Sequence, residues 1–116
     1  VCAQVHPFAL LRPRLAARGV LSVAEVRECE EGERITVAGL NLRPHRPPTK
    51  SGQTVLFSEL EDETSHPLQV VCLGEALDRC TATLLLSPAV LAEGTVERRR
   101  GVALQIESVR PLRLPV

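Results

Sequence analysis

Residues 39–64 read GLNLRPHRPPTKSGQTVLFSELEDET, with a change of character every few positions. Leu40 and Leu42 alternate with polar neighbours, as in a half-buried strand. The segment from Arg43 to Gly52 then carries Arg43, His45, Arg46 and Lys50, three prolines and no acid. Alternation resumes over 54–61, with Leu56, Ser58 and Leu60 on one face and Val55, Phe57 and Glu59 on the other. Glu61, Asp62 and Glu63 open an acidic turn that runs to Pro67. The pattern is strand, basic loop, strand, acidic turn.

Composition limits what can surround this hairpin. The chain has 116 residues, is 44% hydrophobic and has a formal net charge of zero, which suits one globular domain. With zero net charge, attraction to a polyanion must come from local clustering rather than a global field. Phe8 and Phe57 are the sole aromatics, so the core is expected to be aliphatic. The cysteines Cys2, Cys29, Cys72 and Cys80 show no close-paired spacing and are expected to be reduced thiols acting as small hydrophobes. There is no signal pattern and no apolar run long enough to span a membrane, so a cytoplasmic location is expected.

Upstream, helical spacing covers 6–18, and Ser22-Val-Ala-Glu25 forms a capping box for a short helix over 23–29. From Arg34 the period falls to two. Its phase slips at Ala38-Gly39, which predicts a β-bulge there. Downstream, strands are expected at 68–73, 89–97 and 102–109, with a helix from Gly74 to about Thr83 between the first two. The order after the lead-in is β-β-β-α-β-β. This is a mainly β chain, and the order implies a five-stranded OB-fold barrel over 33–116 with a short helical N-terminal extension over 1–32. In that fold the connections between strands one and two and between strands four and five flank the ligand face. Arg43–Lys50 fall in the first and Arg98-Arg99-Arg100 in the second.

The strands ITVAGLNLRPHRPPTKSGQTVLFSELEDET, VVCLGEALDR and LLLSPAVLAEGTVERRRGVALQIESVRPL resemble the OB domain near the C-terminus of bacterial DNA polymerase III α subunits. The opening HPFALLRPRLAARGVLSVAEV is similar to the linker before that domain in the error-prone (mutasome) branch. Two segments depart from the family pattern: Ser65-His66-Pro67 follows the E-D-E-T turn where glycine is usual, and CLGEALDR stands where aromatics are usual. The resemblance implies an accessory, non-catalytic module that contacts single-stranded template DNA or other polymerase and mutasome subunits.

The candidate nucleic-acid contacts are Arg43, His45, Arg46, Lys50, Phe57, Arg98, Arg99 and Arg100. Basic side chains release counterions from phosphates, and an outward Phe57 offers a base a stacking surface. Three consecutive arginines on a strand cannot all face one ligand, so at most two are expected to engage, and more only if the tip is a turn. The carboxylates at 59–63 read as a solvated edge rather than a metal site. No catalytic set, metal site or cofactor is expected. The expected function is weak, sequence-tolerant binding of single-stranded DNA in an error-prone polymerase assembly. The alternatives are a protein–protein docking module of that assembly and an RNA- or tRNA-binding OB domain.

Overall fold

The structure, a computed structural model, describes residues 6–114. It contains α1 (Pro7–Ala17), α2 (Val23–Arg27), β1 (Arg34–His45), β2 (Val55–Glu61), β3 (Leu68–Leu73), α3 (Ala76–Leu86), β4 (Ala89–Glu97) and β5 (Ala103–Pro111). The five strands close into a barrel in the order β1-β2-β3-β5-β4. One pairing, β3 with β5, is parallel, and it spans the connection that contains α3. This is the OB barrel that the strand count implied.

Closure follows from alternation. Leu56, Ser58 and Leu60 of β2 face inward with Val70 and Cys72 of β3, Val90, Ala92 and Val96 of β4, and Leu104 and Ile106 of β5. The interior is aliphatic, as the composition required. Its lower end is plugged by α3, whose buried residues Ala76, Cys80 and Leu84 recur every four positions on one helical face. Asn41 ties the end of α3 to β1: its side-chain amide donates to the Leu84 and Ser87 carbonyls at 2.6 and 3.1 Å.

The phase slip in β1 has a different cause from the bulge expected at Ala38-Gly39. Pairing of Arg34–Leu40 with β4 is continuous. Val37 points into the barrel, while Ala38 faces outward and is covered by Phe8, Leu15 and Val20 of the lead-in. Both faces of the strand are buried there, so three consecutive buried residues look like a slip. The true irregularity lies between Leu42 and His45, where Arg43 is the one non-glycine at positive φ (52°) among the described residues. A second irregularity, between Glu93 and Gly94, brings β5 so close that a Cβ on Gly94 would lie 2.1 Å from the Gln105 carbonyl oxygen.

The lead-in is fastened to the barrel. Phe8 is fully buried against Ala38 and Ala89, and the Leu21 amide donates to the Thr36 carbonyl at 2.8 Å. The acidic turn after β2, expected to be solvated, is instead the fastening point. Asp62 is 4% exposed and accepts from the Val23 amide at 2.7 Å, from the Thr64 amide and hydroxyl, and from Arg12. Arg12 also forms a fork with Glu63 at 2.7 and 2.8 Å. Arg27 donates to the Ser65 hydroxyl and to the His66 and Pro67 carbonyls. The carboxylates face a guanidinium and a helix N-terminus, so solvation is not what they need.

Candidate nucleic-acid interface

The outer face of β2 and β3 carries the candidate site. Because Leu56, Ser58 and Leu60 fill the barrel, Val55, Phe57 and Glu59 must point out. Phe57 pairs with Val71, and Val55 with Leu73, so an apolar strip crosses the two strands. Parallel pairing extends it to Ala103 and Gln105 on β5. Above this floor lies a groove of about 360 Å³, walled by Glu97 at the end of β4 and by Arg99 and Arg100 from the β4–β5 connection. Leu73 is 40% exposed there, an apolar surface that nothing in the described chain covers.

The two basic connections meet this groove differently. Arg99 and Arg100 line it, and neither has a carboxylate within ion-pairing distance among the described residues. Arg98 turns the other way. Its guanidinium donates to the Arg27 and Cys29 carbonyls at 2.9 and 2.8 Å, and its amide donates to the Glu31 carboxylate. The carbonyls beyond the last turn of α2 need donors, and Arg98 supplies them. Two of the three arginines therefore line the groove; they are adjacent, which strand alternation would forbid, and they can share it because they lie in the turn beyond the end of β4.

In the β1–β2 connection, His45 stacks on Phe57 with ring centroids 5.7 Å apart and planes inclined by 24°. Arg46 and Lys50 follow on the exposed loop, with no carboxylate partner among the described residues. The Thr49 hydroxyl donates to the Gln53 carbonyl at 2.6 Å and holds the loop folded. Arg43 is exposed but engaged: its guanidinium meets the Glu59 carboxylate at 3.0 Å. Phe57, Arg99 and Arg100 thus share the groove and His45 abuts it. Arg46 and Lys50 extend its rim, and Arg43 and Arg98 are held by other protein groups.

Sequence reading did not single out the floor residues Gln69, Val71, Leu73 and Ala103. The signal was present in LQVVCL: once Val70 and Cys72 are assigned to the interior, their neighbours must face out. Among the described residues no group of three or more His, Cys, Asp or Glu side chains could hold a metal ion. The described thiols are quiet, and Cys2 lies outside the described residues. Burial pushes the Cys72 thiol up to about 12, and burial also raises Cys80 and Cys29.

A closed five-stranded barrel in the order β1-β2-β3-β5-β4 defines an OB-fold module. The solved structures it resembles agree on the fold. A mitochondrial single-stranded DNA binding protein of S. cerevisiae superposes with a TM-score of 0.56 at 8% identity, covering 72% of this chain and 98% of that one. A replication protein A heterotrimer bound to single-stranded DNA gives 0.58 at 15% identity, covering 83% and 24%. No family model matches the chain.

Sequence relatives are more specific. The error-prone DNA polymerase of Symbiobacterium thermophilum is 38% identical over 112 residues, which is 94% of this chain and 10% of the polymerase. That of Corynebacterium diphtheriae is 40% identical over 98 residues, covering 84% and 9%. The chain belongs to the error-prone DNA polymerase family as an OB-fold segment, and it spans about a tenth of the length of these relatives.

Proposed function

We propose that this module binds single-stranded DNA weakly and with little sequence preference, as an accessory part of an error-prone DNA polymerase assembly in the bacterial cytoplasm. One observation carries the reading: Arg99 and Arg100, without carboxylate partners among the described residues, stand over an apolar strip in which Leu73 is exposed, Phe57 half-buried and Val71 buried. Unpaired guanidinium groups beside an apolar floor suit a ligand with a phosphate edge and flat base faces. Arg46 and Lys50 extend the cationic rim, and His45 abuts it. In this reading Arg43 and Arg98 shape the two connections and do not hold DNA. Within a lead-in assigned to 1–32, the described residues from His6 onward brace the barrel assigned to 33–116, and catalysis belongs to other parts of the polymerase.

The test is a titration of fluorescently labelled oligo-dT at low salt, followed by anisotropy. Saturable binding that weakens at least tenfold in an Arg99→Ala/Arg100→Ala protein supports the reading, and absence of binding sinks it. A second reading, docking of another subunit, draws on Leu85 and Leu86 at the end of α3, which are 46% and 81% exposed and do not line the groove. It would be favoured by unaltered oligonucleotide binding together with loss of partner capture in a Leu85→Glu/Leu86→Glu protein. Equal or tighter binding of oligo-U would favour the RNA alternative.

A further inference from the structure

We propose that His45 and Phe57 form a two-ring platform on which unpaired nucleobases stack, and that the kink at Arg43 exists to put His45 there. This rests on the single-stranded DNA reading above and specifies which part of the ligand the groove takes: the base face as well as the phosphate.

The register shows what the kink does. Leu42 lies opposite Glu59, and two residues further along β2 Phe57 lies opposite His45, three residues beyond Leu42. One extra residue has been inserted in β1. In an uninterrupted ladder Pro44 would face Phe57. The insertion replaces a proline with an imidazole at that position, and re-aiming a side chain is a recurrent use of bulges. The insertion is accommodated at Arg43, whose φ of 52° is costly for a residue with a Cβ.

Two contacts then hold the kink. The Arg43 guanidinium meets the Glu59 carboxylate on the outer face of β2, at 3.0 Å. The Arg43 carbonyl accepts a hydrogen bond from His45 Nδ1 at 2.9 Å, which fixes the ring's rotation. With Nδ1 held and one side set on Phe57, the rest of the exposed imidazole is turned to solvent. A base stacked there extends a ladder the protein has already begun, and the groove with Arg99 and Arg100 adjoins it through Phe57. Duplex DNA covers its base faces internally, so the platform selects unpaired strands. Arg43 is a positioning residue in this arrangement and makes no contact with DNA.

The experiment compares oligo-dT with an abasic deoxyribose-phosphate oligomer of the same length and charge. The platform predicts that the intact protein binds oligo-dT roughly tenfold more tightly than the abasic strand. His45→Ala or Phe57→Ala should erase that preference by weakening oligo-dT binding roughly tenfold. Arg43→Gly should keep the preference, because glycine adopts the kink freely, whereas Arg43→Val should lose it. The chain has no tryptophan or tyrosine, so a His45→Trp protein carries one reporter, whose emission should be quenched by oligo-dT and not by the abasic strand. Equal affinity for the two strands in the intact protein would overturn the platform while leaving the single-stranded DNA reading intact. Failure of both strands to bind would remove both.

Discussion

Gly94 shows how much of this fold hangs on single positions. A methyl group there would sit 2.1 Å from the Gln105 carbonyl oxygen, so the β4–β5 ladder has to move apart to admit it. Gly94→Ala should cost about 3 kcal/mol or more of stability, read from the denaturant midpoint, because the obstacle is backbone and cannot rotate away. The buried thiols give a gentler test. With Cys72 pushed up to about 12 by burial and Cys80 raised by the same cause, neither should react with a thiol reagent at pH 8 until the barrel opens. At this scale much was legible: the inward and outward sets on β2, β4 and β5 follow from alternation alone. The kink at Arg43 was not. Its evidence is a pairing register between two strands, and no spacing within one strand carries that information. The slip at Ala38-Gly39 was visible but pointed to the wrong cause, because a lead-in that buries the outer face of β1 mimics an inserted residue.

Among the elements, α1 and α2 act through the turn after β2. Removing Asp62 leaves the Val23 and Thr64 amides without their acceptor and takes from Arg12 one of its two carboxylate partners, so Asp62→Ala should cost about 3 kcal/mol. The hydrogen bond from Arg12 holds the Glu63 carboxyl below the usual carboxylate range. A carboxyl depressed in the folded state contributes stability above its unfolded pKa of about 4.3 and loses that contribution as pH falls through the folded value. The stability gap between the natural protein and Arg12→Ala should therefore be full at pH 7 and shrink on acidification below about pH 4, as urea midpoints across that range would show. The sequence announced this turn as a run of acids but gave no partner for them. Arg12 is 50 residues away, and its meeting with Asp62 depends on where α1 lands. In the departure Ser65-His66-Pro67, Ser65 meets Arg27 through its side-chain hydroxyl, whereas His66 and Pro67 accept through backbone carbonyls that any residue would supply.

For the molecule as a whole, a net charge of zero conceals a division of labour. Acidic groups at the β2–β3 turn grip the lead-in, and Arg98 grips α2 from the other side. Arg99 and Arg100 are left to face the groove. Binding should thus follow local charge and respond sharply to ionic strength. On a single strand, each phosphate neutralised contributes about 0.7 to the slope of log affinity against log salt. A measurement of that slope for oligo-dT, in the natural protein, in Arg99→Ala/Arg100→Ala and in Arg98→Ala, separates groove cations from structural ones. The slope should fall in magnitude by about 1.4 in the double variant and stay unchanged in Arg98→Ala, even as the latter loses stability. An unchanged slope in the double variant, or an equal fall in Arg98→Ala, would contradict the assignment of this groove as the DNA-binding face.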